Sequence, residues 1–372
     1  MKLGWKSDPL RVDKTYGTPL LGESVLGLSG IHHFEDTSGG GGIFRSSFLG
    51  HGLTILTSIL SIAHLLHHGF TEATTTFMNL SEPKGISDNG DIIDCVNIYK
   101  QISFDNPFIK SSQLNLNLEK QMKRDNSFPK NKLVQGWHRN GECPFQTVPI
   151  IRSFTRHTKT FQKPLSAMKF GDNKNRDHAV VWEKEGAYLG ASAKFSISNP
   201  QTQPNDFSLA QIRLLNGMDT RHLNSIQAGW TVHPLLFGDY QTRFFTYWTG
   251  DNYNRTGCYN LQCEGFVQTS RTFAIGSPIS ISSEIKVSIF KEYETGDWWL
   301  ELDNELIGYW PRILFSRYLN AFNSTISKIS WGGEVYYKDD SGQHTATQMG
   351  NGQFPGKGAI RASHVRNLQV SF

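Results

Sequence analysis

Apolar and polar residues alternate along several short segments in the second half of the chain. Ile285, Val287 and Ile289 alternate with polar residues, and the same period recurs at residues 298–303. A period of two is typical of a strand with one buried face. Segments broken by Gly, Asn and Asp predict further strands at residues 148–151, 178–182, 188–197, 207–215, 225–232 and 243–249.

This succession of short strands predicts an all-β fold, a sandwich or a barrel. The composition agrees, because aromatic residues make up 12% of the 372 residues and Gly supplies 35. We expect segments 178–182 and 188–197 to form a hairpin around Gly186. One short helix is expected at residues 313–322, after Pro311.

Residues 1–70 differ from this pattern. The apolar run at residues 53–66 has the length of a signal-peptide core but is too short for a membrane span, which needs about 20 apolar residues. We therefore interpret residues 1–70 as an atypical leader, either signal-like or wrongly assigned, and predict no stable membrane span. His64 and His68 would share a helix face there and could bind a metal. No acidic residue or Cys accompanies them and His67, so a structural role is favoured and no cofactor is predicted.

Charge argues against one class of function. Lys and Arg total 37 against 33 Asp and Glu, a formal net charge of only +4. Nucleic-acid-binding proteins usually carry a strongly basic surface, so no nucleic-acid partner is expected. Residues 84–134 are polar and irregular, and the basic stretch 120–132 is typical of an exposed linker that proteases can reach.

The four cysteines indicate disulfides more than a metal site, because no CxxC pair occurs among Cys95, Cys143, Cys258 and Cys263. Three glycosylation sequons begin at Asn79, Asn254 and Asn323. Disulfides persist in oxidising compartments, so the two features together favour the secretory pathway.

Two glycine- and tryptophan-rich segments each contain one long polar side chain. Gln227 precedes Ala228-Gly229-Trp230, and Glu334 follows Trp331-Gly332-Gly333. A carboxylate in an apolar strand costs several kcal/mol unless it is paired or hydrated. Glu334 is therefore either a solvent-facing residue of an edge strand or a carboxylate in a cleft, with a raised pKa suited to acid–base catalysis.

At these segments the sequence resembles the plant neprosin family. Residues 223–232 match its L-N-x-I-E-A-G-W-x-V segment, and residues 91–110 resemble its activation-peptide motif. Cys143-Pro144 and residues 148–150 resemble the start of its mature region. Further matching segments lie in the same order at residues 238–249, 256–269, 298–299, 308–311, 331–335, 344–350 and 366–370. The resemblance covers residues 85–372.

The resemblance implies a secreted glutamic endopeptidase that cuts after proline at acidic pH and is made as a zymogen. It also implies an antiparallel β-sandwich of two large sheets behind a mostly irregular prosegment. We accordingly expect an activation peptide and linker at 71–134 and a catalytic domain at 135–372. The expected product is a monomer that acts on proline-containing peptides in the extracellular space or the vacuole. We expect disulfides Cys258–Cys263 and Cys95–Cys143, the second joining the prosegment to the mature domain.

The family has two catalytic glutamates, and this chain departs from that pattern. Glu334 matches the second, whereas Gln227 replaces the first. The distantly similar eqolisins use a Gln and a Glu: the Glu activates water and the Gln amide stabilises the oxyanion. Gln227 and Glu334 could therefore form an active pair. Alternatively, the chain is a non-catalytic relative that binds peptides or cell-wall material.

Overall fold

The computed structural model describes residues 5–6, 26–27, 85–87, 89–109, 114–115, 117–118, 121, 135–152, 175–183, 185–217, 223–281, 284–315, 325–338, 344–357 and 361–372. All of them belong to one structural unit. The apolar run at 53–66, His64, His67, His68, Asn79, Asn323 and most of the linker at 122–134 lie outside the described residues. Within the described part of the chain, no helix is long and apolar enough to cross a membrane.

Most described residues form antiparallel strands in two large sheets, which make a β-sandwich as expected. The first sheet has eight strands in the order β1-β17-β7-β13-β14-β15-β12, with β2 also paired to β17. Its strands are β1 (Trp5–Lys6), β2 (Leu26–Gly27), β7 (Gly190–Ser196), β12 (Val267–Gln268), β13 (Glu284–Lys291), β14 (Trp298–Leu302), β15 (Glu305–Trp310) and β17 (His364–Ser371).

The second sheet has six strands in the order β11-β10-β9-β8-β16-β6. They are β6 (Arg176–Trp182), β8 (Phe207–Asn216), β9 (Asn224–Val232), β10 (Arg243–Thr249), β11 (Cys258–Tyr259) and β16 (Lys328–Tyr336). Both segments singled out by their long polar side chains lie in this sheet, as β9 and β16.

The two faces of the six-stranded sheet have different roles. The indole of Trp230 on β9 donates to the carbonyl of Ser196 on β7 at 3.0 Å, so Trp230 faces the eight-stranded sheet. Successive side chains of a strand point to opposite faces, and Gln227 therefore points away from the inter-sheet core. The same alternation puts Trp331 in the core, where it is 1% exposed, and Glu334 on the outer face.

The expected hairpin around Gly186 is wrong. β6 pairs with β16, whereas β7 pairs with β13 and β17, so these consecutive strands belong to different sheets. The connection between them is fixed by an antiparallel bridge between Tyr188 and Ile326. In place of the start of the expected helix, a 3-10 helix spans Arg312–Leu314; residues 316–322 lie outside the described residues.

A third, three-stranded sheet joins the prosegment to the start of the predicted catalytic domain. It contains β3 (Gly85–Ile86), β4 (Ile92–Asn97) and β5 (Thr147–Ile151) in that order. The Cys95–Cys143 disulfide supports this junction, and Ile93, Trp137 and Ile151 pack beside it in a small core. Short 3-10 helices at Ile98–Lys100, Ile102–Asp105 and Gly136–Asn140 complete this region. Within the described part of the prosegment, short strands and 3-10 helices alternate with turns.

Candidate active site

Glu334 and Gln227 lie on the outer face of the six-stranded sheet, with β8 between them. Glu334 is opposite Leu209 in the strand register, and Gln227 is opposite Arg213, four residues further along β8. Two inter-strand steps and this offset put their Cβ atoms roughly 15 Å apart in a regular sheet. The two predicted catalytic side chains thus share a face but are too far apart for a direct hydrogen bond. A substrate would have to lie between them.

Glu334 is a buried, paired carboxylate. It is 5% exposed, and its Oε1 forms an ion pair with the guanidinium of Arg176 on β6. The Arg176 guanidinium also lies over the rings of Phe207 and Tyr336, at 5.7 and 5.1 Å from their centroids. Burial lowers the pKa of Arg176 from its ordinary value. The cost of burying Glu334 is therefore offset by a cation that is itself held between two rings.

His178 adds a neutral imidazole to the same end of the site. It is directly opposite Glu334 in the register, and its Nε2 lies 3.7 Å from Oε2 of that residue. Burial, together with the positive charges of Arg213 and Arg176, lowers the pKa of His178 to about 4. Above that pH the imidazole is uncharged, so Arg176 is the charged partner of Glu334.

Gln227 has a different environment. Its Nε2 donates to Ser225 Oγ at 2.9 Å and to Tyr253 OH at 3.4 Å. Tyr253 OH also accepts a hydrogen bond from Arg213 Nη2 at 2.5 Å. Both amide hydrogens of Gln227 are thus directed to neighbours within the protein. To donate to an oxyanion, this amide would have to exchange one of those bonds for the substrate.

Gln211 on β8, which was not predicted from the sequence, completes a diagonal row of three polar side chains. Gln211 is opposite Gly332 on β16 and Gly229 on β9. Glu334 and Gln227 each lie two residues from those glycines, which makes them diagonal neighbours of Gln211, at Cβ distances of about 7–8 Å or slightly less. Its Oε1 is buried and accepts no hydrogen bond from any residue that the structure describes. The only signal in the sequence was a Gln within an otherwise apolar strand pattern, which is also typical of a solvent face.

Aromatic rings line both ends of this face. Phe207 stacks on Tyr336 and on His233, at centroid distances of 5.3 and 4.9 Å, beside the Glu334 row. Beyond Gln227, Tyr247 packs against Tyr253 and Tyr259 at 6.0 and 4.6 Å. Apart from His233, these rings belong to one cluster of buried side chains: Phe207, Leu209, Leu215, Leu223, Phe245, Tyr247, Tyr253, Tyr259 and Tyr336. On this face, a few charged and amide groups therefore lie among buried apolar and aromatic side chains.

The prosegment contacts the rest of the unit at buried polar groups. Arg243 on β10, 2% exposed, forms ion pairs with Asp239 and, at 2.7 Å, with Asp91 of the prosegment. Gln101 and Gln268 exchange side-chain–backbone hydrogen bonds of 2.9 Å. Further along, Asn117 donates to the carboxylate of Asp297 at 2.9 Å. These contacts add to the pairing of β4 with β5, to the Cys95–Cys143 disulfide and to a second ion pair, between Asp94 and Arg152.

The other predicted site residues are structural or lie at the surface. The cysteines form the expected disulfides Cys95–Cys143 and Cys258–Cys263. Asn254 is exposed in the turn before Cys258, so its sequon is accessible, and its glycosylation stays a prediction. No cluster of His, Cys, Asp and Glu able to hold a metal occurs among the residues that the structure describes.

Two family profiles match the chain. The profile described as Neprosin matches residues 204–372, and that described as Neprosin activation peptide matches residues 86–193. The chain belongs to the neprosin family. The first match contains Glu334, Gln227 and Gln211, whereas Arg176 and His178 lie within the second. An activation peptide ahead of a neprosin domain indicates a peptidase-like protein of zymogen type; the boundary at 134/135 stays a prediction.

Solved structures resemble this member of the neprosin family only distantly. A scytalido-glutamic peptidase with a peptide-based transition-state analogue is 11% identical, with a TM-score of 0.25, over 47% of this chain and 72% of that one. Porphyranase B from Zobellia galactanivorans is 6% identical, with a TM-score of 0.30, over 52% and 66%. An alginate lyase from Pseudomonas aeruginosa is 10% identical, with a TM-score of 0.30, over 52% and 74%. At these scores the similarities carry no argument about activity.

Proposed function

We propose that this protein is a glutamic endopeptidase of the neprosin family that cuts peptides after proline at acidic pH, with Glu334 and Gln227 as its catalytic pair. The observation that carries the proposal is the placement of the two residues. Both lie on the outer face of one sheet, outside the inter-sheet core, on opposite sides of a floor that contains Gly229, Gly332 and Gln211.

Glu334 is the general base and then the general acid. Its carboxylate takes a proton from a water molecule as the water oxygen bonds to the carbonyl carbon of the scissile peptide. The oxyanion that forms accepts a hydrogen bond from the amide of Gln227. As the C–N bond breaks, Glu334 gives the proton to the departing amine, and the carboxylate is restored. Arg176 favours the ionised state in which this cycle starts.

The aromatic lining supports a preference for proline. Proline-rich segments bind to grooves lined by aromatic rings, because their preformed extended conformation loses little entropy on binding. Tyr336 and Phe207 stand beside the Glu334 row, and Tyr247, Tyr253 and Tyr259 stand beyond Gln227. A proline side chain next to the scissile bond would contact one of these two groups of rings.

The proposal includes secretion and processing. Two disulfides and an exposed sequon at Asn254 suit an extracellular or vacuolar protein, reached through the unconventional leader at residues 1–70. The enzyme is a monomer made as a zymogen, and acid weakens the contacts that hold the prosegment, among them the ion pair between Asp91 and Arg243.

The test is incubation of the acid-treated full chain with a proline-containing peptide from about pH 2 to pH 7. We expect cleavage only on the carboxyl side of proline, identified by mass spectrometry of the products, and faster at the acidic end. The same peptide with proline replaced by alanine is the control. Cleavage at other residues, or fastest cleavage near pH 7, would contradict the proposal.

A non-catalytic peptide-binding protein is the second candidate. The observation that favours it is the pairing within the site: Glu334 is bound to Arg176, and both hydrogens of the Gln227 amide are directed to Ser225 and Tyr253. Such a protein would bind the proline-containing peptide, leave it intact at every pH, and gain activity only in Gln227→Glu.

A further inference from the structure

We propose that Gln211 is a third substrate-contacting residue of this site, whose side-chain carbonyl accepts a hydrogen bond from a main-chain N–H of the bound peptide. The inference rests on the proposed peptidase function and deepens it. It assigns to Gln211 the recognition of the peptide backbone between Glu334 and Gln227.

The first support is the position of Gln211. It is the central residue of the diagonal Glu334–Gln211–Gln227, which crosses three adjacent strands. A peptide that reaches from the general base to the Gln227 amide therefore has to pass over Gln211. Because Gln211 is within one diagonal step of both residues, its long side chain can reach a group held by either.

The second support is the absence of side chains on either side of Gln211. Gly229 and Gly332 are its direct cross-strand neighbours, and neither can be replaced without conflict. A Cβ on Gly229 would lie 2.0 Å from the carbonyl oxygen of Ala210, and one on Gly332 would lie 2.1 Å from that of Ala179. The close approach of neighbouring strands requires both glycines. In the row that crosses β9, β8 and β16 at this level, Gln211 is therefore the residue that has a side chain.

The third support is an unmet hydrogen-bonding capacity. Gln211 is 6% exposed, and within the described part of the chain no group donates to its buried Oε1. A buried polar atom without a partner destabilises the folded protein, so its presence calls for an explanation. The neighbouring amide of Gln227, by contrast, is engaged with Ser225 and Tyr253. An acceptor that lacks a donor is complementary to the N–H groups of an extended peptide.

The experiment uses acid-processed protein, because the proposed enzyme is made as a zymogen. No residue that the structure describes donates a hydrogen bond to Oε1 of Gln211. We therefore expect Gln211→Met to leave the melting temperature unchanged, whereas the loss of a glutamine that stabilises the fold would lower it.

The test compares wild type with Gln211→Met on a proline-containing peptide and on analogues in which one non-scissile main-chain amide at a time is replaced by an ester. An ester lacks the N–H donor. In the wild type we expect one analogue to lose about tenfold or more in kcat/KM, the effect of leaving a buried acceptor unpaired. In Gln211→Met the same analogue and its parent peptide should be cleaved at equal rates.

Gln211→Asn, which withdraws the amide by one methylene, should behave like Gln211→Met and guards against a folding defect in one variant. Gln369→Met is the matched control, because Gln369 lies on β17 of the other large sheet. That control should keep the wild-type response to every ester.

The outcomes separate this inference from the proposed function. If each ester lowers kcat/KM by the same factor in wild type and in Gln211→Met, Gln211 does not bind the replaced N–H group. That result would overturn the role of Gln211 without contradicting the peptidase proposal. If the wild type cleaves nothing, the peptidase proposal fails, and the affinity of the same peptides decides the inference. Weaker binding of one ester by wild type but not by Gln211→Met would then support it, and equal affinities or no binding would overturn it.

Discussion

The guanidinium of Arg176 forms an ion pair with the carboxylate of Glu334 across two neighbouring strands of the sheet. Both side chains are at most 10% exposed, so each charge depends on the other. Removing one partner of a buried ion pair leaves an uncompensated charge and typically costs about 3–5 kcal/mol. We expect Arg176→Met to lower the free energy of unfolding by that amount, measured by denaturant titration at pH 7.

The same variant should also change the pH profile of activity. Without the guanidinium the ionised state of Glu334 is less favoured, and the acid limb of the profile should move to higher pH. The control is Arg366→Met, which removes one of the two partners, Arg366 and His364, of the more exposed Glu284 and should cost at most about 1 kcal/mol. Equal losses of unfolding free energy in the two variants would mean that burial does not make the Arg176–Glu334 pair more important for stability than the exposed pair.

Substitutions of the catalytic pair distinguish an enzyme from a binding protein. Glu334→Gln should reduce kcat/KM by about 10²–10⁴-fold or more, because it removes the group that carries the proton. Gln227→Ala should cost about 10²–10³-fold if its amide stabilises the oxyanion. Gln227→Glu should restore the paired glutamates of the family and shift the profile towards acid, since one of two coupled carboxyls must stay protonated.

All four proteins are assayed on one proline-containing peptide from about pH 2 to 7. A wild type without activity that gains it in Gln227→Glu would identify a non-catalytic relative. Activity that survives Glu334→Gln would refute both interpretations.

His233 should make the folded state sensitive to acid. The imidazole is 7% exposed and stacks on Phe207, and burial lowers the pKa of His233 from 6.5 to about 4. Between these values the unfolded chain binds a proton that the folded chain does not. The contribution of His233 to the free energy of unfolding is therefore fully present above pH 6.5 and decreases as the pH is lowered. Near pH 4 the loss is on the order of 3 kcal/mol.

His233→Phe keeps the ring contact and removes the titration. Its free energy of unfolding, measured by urea titration at several pH values, should fall less steeply than that of the wild type between pH 6.5 and pH 4. Parallel curves for the two proteins would show that His233 does not contribute.

Processing should begin in the linker. At low pH we expect a cut within residues 120–135, after Pro129 if the protein processes itself. Another protease would cut at Lys130 or Lys132. Amino-terminal sequencing of the acidified protein, with Glu334→Gln as the inactive control, distinguishes the two routes. A chain that remains intact would argue against activation by cleavage.

A substitution at one residue tests whether an ion pair helps to keep the prosegment bound to the rest of the protein. Arg243 is the buried cation that binds Asp91, and Arg243→Met removes that ion pair while it keeps much of the side-chain volume. We expect the variant to be cut in the linker at a higher pH than the wild type, as followed by gel electrophoresis. An unchanged threshold would mean that acid acts elsewhere.

Much of the strand pattern could be predicted from the sequence, including the strands that contain the two candidate catalytic residues. The alternation at Ile285, Val287 and Ile289 gave β13, and the tryptophan- and glycine-rich segments placed Gln227 and Glu334 on strands. Period and composition report which residues are strand-like. They do not report which strands pair, and the chain between β6 and β7 therefore crosses between sheets where a hairpin was expected.

The other residues of the candidate site could not be predicted, because their positions also depend on which strands pair. Arg176, His178 and Gln211 approach Glu334 only through the pairing of β6, β16 and β8. In the sequence Arg176 and His178 lie more than 150 residues from Glu334, and nothing local distinguishes them from residues of a solvent-facing strand. The register that joins them is set by packing between strands far apart in the chain.

The Cys95–Cys143 disulfide determines what a cut in the linker produces. The two cysteines lie on opposite sides of residues 120–135, so cleavage there yields two chains that stay covalently joined. The released segment then remains at a high effective concentration beside its binding site and can return when the pH rises. Cleavage at this point would therefore activate the protein reversibly, because the tethered segment could bind again and inhibit it. Permanent activation would need a reductant or a second cut.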